Sequence, residues 1–324
     1  MQEVMVSIIC RTYNHEKHIA EALDGFLNQE TEYPYEILIN EDASTDHTAD
    51  IVREYENKHP DKIFPIYQKV NQNGKQNTTL LLMSKARGKY FAICEGDDCW
   101  IDPHKLQKQI HYMEEHPDCT LCVHNAIQVT EDGKRLTDIV LTEEDGIIPA
   151  EEFIKGGGAH YCATASIVGR MEHAIKVPDF YRNCSLDYAW QIYLAACGYA
   201  YCFKDRMSLY RVAVSGSWTE RMERDPSAYA RVYGLINKML KEFDEWSGGR
   251  FHDTVRESIA KHTYLIGIRT NDRSVLKDED VKKWIQSQSK SFKAKHILWK
   301  YAPGVYNKLR NYRLKKRYGF DVKK

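Results

Sequence analysis

Long apolar runs are missing from this sequence. Stretches such as TLLLM, at residues 79 to 83, fall far short of the roughly 20 residues that cross a bilayer. The amino end, MQEVMVSIICRTYN, lacks the basic start, apolar stretch and small-residue cleavage site of a secretory leader, so a cytoplasmic location is expected. Glycine and proline are sparse, and neither an internal repeat nor a low-complexity linker interrupts the chain. With 43% hydrophobic and 28% charged residues over 324 positions, the composition is that of a soluble globular protein, long enough for one large domain and an appendage. Disulfide signals are absent too: the nine cysteines are odd in number, and Cys10, Cys94, Cys122, Cys162 and Cys202 fall in apolar runs where reduced Cys packs as a small hydrophobe. Cys119 and Cys122 form a C-x-x-C, but no second pair follows at zinc-binding spacing, which favours buried thiols over a metal finger.

Net charge is also missing, at +0, yet the balance is uneven. Residues 290 to 324 hold twelve Lys and Arg against one acid, Asp321, while the other 289 residues carry 34 bases against 45 acids, a net −11. An acidic body without a nucleic-acid-binding motif excludes nucleic acid as the expected partner of that basic tail.

What is present is an alternation of two periodicities over the first 120 residues. VMVSIIC reads as a strand; Asn14 then offers a cap to a helix with Ile19, Ala22, Leu23, Phe26 and Leu27 at helical spacing. YEILINED and IFPIY continue the strands, with a helix through Ile51, Val52 and Tyr55 between them. A helix with Leu80, Leu81 and Ala86 then stops at Gly88, before the strand KYFAIC. Asp102 and Pro103 open a further helix with Leu106, Ile110 and Met113 on one face. This is an α/β, βαβαβαβ core with a mostly parallel sheet. Later come a Gly-rich loop at 156–158 that leads into another strand, a helix from Leu186 to Cys197, and two short strands, YAYCF and MSLYRV. Helical patterns follow from Pro226, so a boundary is expected between residues 219 and 220.

Ligands of such sheets bind beyond the carboxyl ends of the strands, and two acid clusters fall there. The first, NEDASTD, sets Glu41, Asp42 and Asp46 in a turn. They can accept hydrogen bonds from a base or a ribose, or simply cap a turn and a helix. The second, EGDD, crowds Glu95, Asp97 and Asp98 into four positions, which requires either a cation or a solvated loop. Hard carboxylate oxygens suit Mg²⁺ or Mn²⁺ completed by substrate phosphates.

The ordered set VSIICRTYNHEKHIAEAL, ILINEDASTDHT, GKYFAICEGDDCWIDPHKLQKQ and SLDYAWQIYLAACG resembles the family 2 inverting glycosyltransferases of the GT-A fold, especially bacterial enzymes of surface-polysaccharide synthesis. The resemblance covers residues 4 to 217. It implies that Thr12 and Tyr13 begin the nucleotide pocket, that Asp42 contacts the base, and that Glu95-Gly96-Asp97 is the D-x-D site, with Asp97 the metal-diphosphate ligand and Asp98 beside it. Asp187 aligns with the base that activates the acceptor; the first turn of a helix capped by Ser185 is its plain structural alternative. Glu41 and Glu95 stand where Asp is usual, and Leu186 where an acid often precedes the base. Arg211 and Trp218 neighbour the site in the segment that resembles the family's closing loop, which here has no His, and His15 and His18 are read as solvated.

The implied activity is metal-dependent, inverting transfer of one hexosyl or N-acetylhexosaminyl unit from a nucleotide-sugar, a UDP-sugar, to a saccharide or lipid-linked saccharide. The Q-x-x-R-W motif and membrane spans of the family's polymerases are missing, which argues against processive synthesis. Two rivals stand beside it: a catalytically silent nucleotide-sugar-binding scaffold, and a nucleotidyltransferase, whose Gly-rich basic loop CRTYNHEKH does not provide. The tail YAPGVYNKLRNYRLKKRYG forms a helix from Pro303 suited either to an anionic membrane surface, as a peripheral protein, or to packing on the catalytic domain.

Overall fold

The computed structural model describes residues 3–72, 77–158, 161–184, 186–212, 222 and 224–318. Two compact units divide between Arg211 and Val212. The boundary drawn from the sequence lies a few residues on, within 213–221, outside the described residues.

In the first unit, hydrophobic strands with turn-forming ends build the expected core. The elements run β1 (Val6–Thr12), α1 (Ile19–Leu27), β2 (Tyr35–Glu41), α2 (Thr48–Lys58), β3 (Ile63–Tyr67), α3 (Thr78–Met83), β4 (Tyr90–Ile93), β5 (Cys99–Trp100) and α4 (Lys105–Glu115). There follow β6 (Cys119–Thr130), β7 (Gly146–Ile148), α5 (Ala150–Gly156), β8 (Val168–Arg170), α6 (Met171–Ala174), α7 (Asp179–Cys184), α8 (Asp187–Cys197) and β9 (Tyr199–Val212). The nine strands form one sheet in the order β3-β2-β1-β4-β8-β6-β9-β5, with β7 beside β9.

Pairings β1–β2, β2–β3 and β1–β4 are parallel, whereas β4–β8, β6–β8, β5–β9 and β7–β9 are antiparallel. The parallel character thus stops at β4. The chain winds outward from β1 to β3 and returns on the other side of β1, so a crevice opens beyond the carboxyl ends of β1 and β4. One register fixes that edge: Thr12 lies opposite Glu41, which leaves the acid-rich turns after β2 and β4 flanking the end of β1. Ile19, Ala22, Leu23 and Phe26 of α1 are fully buried with Ile8, Cys10, Ile37, Ile39 and Ala92 in the core of this unit.

Several local expectations change. Asn14 does not cap α1. It takes a left-handed backbone with φ 55°, and its Oδ1 accepts the Thr45 N–H at 2.8 Å, so the helix begins only at Ile19. Asp102 accepts the His104 N–H at 2.8 Å in a turn, and α4 starts at Lys105. The two short strands expected near residue 200 are one strand, β9, of 14 residues.

The second unit is helical: α9 (Pro226–Trp246), α10 (His252–Thr270), α11 (Glu279–Ser287), α12 (Lys290–Tyr301) and α13 (Pro303–Tyr318). Asp225 caps α9 by accepting the Ser227 and Ala228 N–H groups, with Pro226 at the first helical position. Asp278 caps α11 and Ser289 caps α12. Ala260, Tyr264, Ile268, Val281, Trp284 and Trp299 form this unit's own core. Among the described residues no helix is long and apolar enough to cross a membrane.

A buried polar node ties the parallel strands at the end opposite the site. Glu36, 2% exposed, accepts from Ser7 Oγ at 2.7 Å, from the Arg87 N–H at 2.8 Å and from Arg87 Nε at 2.7 Å, and Ser7 Oγ accepts the Gly88 N–H at 2.9 Å. Glu36→Ala strands the Ser7 hydroxyl and the Arg87 amide, and should cost about 2–4 kcal/mol in denaturant unfolding. Glu36→Gln, which keeps an acceptor, should cost less.

Candidate active site

The chain leaving β4 runs on beside β1. Cys94 N–H donates to the Ile9 carbonyl at 3.2 Å and Gly96 N–H to the Arg11 carbonyl at 2.9 Å. Only glycine fits at position 96: a Cβ there would lie 2.7 Å from Thr12 Oγ1 and 2.9 Å from Ile19 Cδ1. This close approach carries Glu95 and Asp97 to the end of β1, one on each side of Gly96.

The acids of this cluster have different partners. Glu95 forms an ion pair with Arg11, whose guanidinium also lies 3.7 Å from Asp187 Oδ1. Asp187 opens α8, and its Oδ2 accepts from Thr164 Oγ1 at 2.8 Å. Burial pushes the Asp187 carboxyl above its ordinary value; Arg11 pulls it down, Glu95 pushes it up again, and the Thr164 bond lowers it. Burial alone would make Arg11 easier to discharge, but Glu95 and Asp187 prevail and hold the guanidinium more firmly charged. The Asp187 side chain remains 29% exposed, open to an incoming group.

Asp98 is 2% exposed, and its Oδ1 accepts the Arg211 N–H at 2.7 Å. Burial, then Asp97, pushes its carboxyl well above the ordinary range, with the Arg211 N–H acting against them. Arg211, itself 9% exposed, donates through Nη1 to the Asp97 carbonyl at 2.8 Å and pairs through Nη2 with Glu21. Arg211 therefore pins the backbone of the acidic loop and leaves the Asp97 carboxylate facing the imidazole of His15, Nε2 to Oδ2 3.8 Å.

In the other acid turn, Glu41 is 2% exposed and its Oε1 accepts the Ser44 N–H at 2.8 Å. Asp42 accepts the Gln72 N–H at 3.0 Å, and Asn71 Nδ2 donates to its carbonyl at 3.0 Å. Asp46 accepts from the Thr48 N–H at 3.0 Å and the Glu16 N–H at 3.2 Å; these bonds outweigh burial and hold its carboxyl below the usual range. All three acids thus accept backbone N–H groups, and Asp42, half-buried, does so from the loop at 68–72. Thr12 is 2% exposed, and its Oγ1 finds no hydrogen-bond partner among the described residues; Tyr13 is 41% exposed.

Both histidines read as solvated are drawn in, because the left-handed turn at Asn14 folds residues 15–18 back onto the sheet edge. His15 N–H donates to Thr48 Oγ1 at 2.8 Å, and His18 is only 8% exposed, its pKa lowered by burial and then by Arg211. Arg11, Glu21 and Thr164 were not singled out from the sequence, although Arg11 and Glu21 stand inside a quoted motif. The Gly-rich turn has left-handed backbone at Gly157 (φ 71°) and Gly158 (φ 76°), while Ser185 and Trp218 lie outside the described residues.

Among the described residues no three His, Cys, Asp or Glu side chains gather to hold a metal ion. With Glu95 engaged by Arg11, the available donors are the Asp97 carboxylate and His15. That set fits a hard divalent ion that arrives with most of its oxygen ligands supplied by a diphosphate, and does not fit one caged by protein alone.

Comparison with known proteins decides the family. The model of glycosyl transferase family 2 matches residues 7–177. The chain belongs to that family. A Mycobacterium tuberculosis protein, Rv1520, itself uncharacterized, is 46% identical over 130 residues, 40% of this chain and 37% of that one. TuaG of Bacillus subtilis, named as a candidate glycosyltransferase of teichuronic acid biosynthesis, is 30% identical over 140 residues, 43% of this chain and 54% of that one. The chain thus spans between about a third and a half of the curated relatives it matches. Among solved structures, S. aureus TarS 1–349 in complex with UDP-GlcNAc aligns with TM-score 0.61 at 16% identity, covering 87% of this chain and 79% of that one. A mannosyltransferase from Pyrobaculum calidifontis, solved with GDP-Man and Mn²⁺, aligns with TM-score 0.50 at 15% identity, covering 95% and 84%. These likenesses show the GT-A fold of this family 2 member.

Asp98 offers a test of its place in the site. Its folded-state pKa is raised, so between the ordinary carboxylate value and that raised one the native state binds the extra proton, and stability falls as pH rises through this window. Asp98→Asn, which can still accept the Arg211 N–H, should lose this pH dependence and melt at or above wild type at pH 7. Asp98→Ala, which strands that N–H, should lose about 1–3 kcal/mol.

Proposed function

We propose that this family 2 chain transfers one sugar with inversion from a nucleotide-sugar, a UDP-sugar, to a saccharide or lipid-linked saccharide in surface-polysaccharide synthesis. The observation that carries the reading is the Arg11 bridge: it joins the family's acid site at Glu95 to Asp187, the aligned base, across the carboxyl end of β1. TuaG's name and the UDP-GlcNAc complex of TarS support the substrate class.

In this reading Asp42 offers its second oxygen to the base, Thr12 Oγ1 and Tyr13 line the nucleotide side, and Asp97 with His15 would hold Mn²⁺ or Mg²⁺. Such an ion neutralises the negative charge that develops on the departing diphosphate. Asp98, Glu41 and Arg211 act as positioning residues, since their side chains hold backbone groups. Asp187 takes the proton of the acceptor hydroxyl as that oxygen attacks the anomeric carbon. The bond from that carbon to the diphosphate breaks, the nucleoside diphosphate leaves with the bonding pair, and configuration inverts. Thr164 and Arg11 fix the carboxylate from two sides, so it meets the acceptor already oriented.

The first test is calorimetric titration of UDP with Mn²⁺ and then with EDTA. Wild type should bind only with the metal, and Asp97→Ala should not bind. Absence of binding by UDP and GDP under both conditions overturns the donor site. Binding with neither donor hydrolysis nor transfer favours the scaffold.

The base is tested separately. Asp187→Asn should keep UDP binding and lose about 10²–10⁴-fold in transfer. Because the base must be ionised, activity should fall as pH falls through a pKa above the ordinary carboxylate range. Arg11→Met removes the group that lowers it and should move this acid limb to higher pH. An unmoved limb would sink the assignment of Asp187.

A further inference from the structure

The last two helices expose large apolar side chains in a regular pattern. Ile297 is 55% exposed, Tyr301 72%, Val305 52%, Leu309 46% and Tyr312 68%. Taking about 100° per residue, Ile297 and Tyr301 lie roughly 40° apart on α12, and Val305, Leu309 and Tyr312 fall within about 60° on α13. Each helix therefore carries a narrow apolar stripe. Neither stripe is needed to anchor its helix. Trp299, 0% exposed, and Phe292 sit on the opposite side of α12, packed with Tyr264 and Trp284, and Tyr306 joins the same core from the flank of α13.

Charge supplies the second half of the pattern. Residues 290–318 contain ten Lys and Arg and no acid. On α12, Lys290 and Lys300 border the stripe, and on α13 Lys308 and Arg313 flank it while Lys316 continues it; all five are exposed. Cations alone would suit any polyanion. Cations bordering an apolar stripe suit a surface with a negative boundary and an apolar interior, which is an anionic lipid bilayer. A nucleic acid would satisfy the charges and leave Ile297 and Leu309 in water.

We infer that the α12–α13 surface docks in the interface of an anionic bilayer, with Ile297, Tyr301, Val305, Leu309 and Tyr312 at the acyl boundary and the bases on the headgroups. This inference stands apart from the donor site, since it uses no residue of that site and needs no sugar.

The test is co-sedimentation of the full chain with vesicles of phosphatidylcholine alone and of phosphatidylcholine mixed with phosphatidylglycerol, at low and high salt. Wild type should sediment with the anionic vesicles only, and less at high salt. Lys308→Glu, Arg313→Glu and Lys316→Glu together should weaken binding by about 100-fold or more. Ile297→Ser, Leu309→Ser and Tyr312→Ser together should weaken it by about 10-fold or more. Both variants should keep wild-type melting curves and wild-type UDP titrations, because the changed side chains are exposed. Failure of wild type to bind, equal binding to neutral vesicles, or a folded variant that binds as tightly as wild type each overturns the inference. Should the Ser variant melt early, the lipid and salt comparisons on wild type and the charge variant still decide it.

Discussion

Like charges crowded at the end of a sheet repel unless cations stand among them, and here two arginines do so from opposite sides. Arg11, the penultimate residue of β1, neutralises Glu95 and reaches Asp187. Arg211, near the end of β9, gives its backbone N–H to the Asp98 carboxylate, its Nη1 to the Asp97 carbonyl and its Nη2 to Glu21. With either guanidinium removed, the acidic loop would carry partly buried carboxylates facing one another at low dielectric. The loop after β4 can therefore keep its course across the sheet edge only because distant segments deliver these two charges.

The arrangement divides labour among acids that look equivalent on paper. Asp98 and Glu41, each 2% exposed, serve the backbone, as Asp46 does at the start of α2. Asp97 and Asp187 are left with accessible oxygens, at 15% and 29% exposure, on either side of the Arg11–Glu95 pair. Rigid neighbours make the two accessible carboxylates useful, since a carboxylate already oriented loses less freedom when it meets its ligand.

Much of this was legible beforehand, because strand ends are local events. Alternating and continuous apolar runs located β1 to β4, and the parallel register then carries NEDASTD and EGDD to one edge whatever the side chains do later. What escaped was non-local or conformational. No periodicity announces that Arg11 spans 84 positions to Glu95, or that Arg211 returns to Asp98 from 113 positions away. Asn14 has the chemistry of a helix cap, yet its side chain found a better partner in Thr45, and the resulting left-handed turn buried His18 and aimed His15 at Asp97. Part of the antiparallel half of the sheet was hidden for a similar reason: β5 is only two residues long, too short to carry a period.

One of the three departures from the family pattern, Glu95, acquires a reason from the charge balance. Glutamate at 95 keeps the charge and adds a methylene of reach, and the structure uses that reach to meet Arg11. Leucine at 186 stands directly before α8 and supplies no side-chain cap to it. With Glu95 taken up by Arg11, Asp97 is left as the acid of this pair whose carboxylate faces His15.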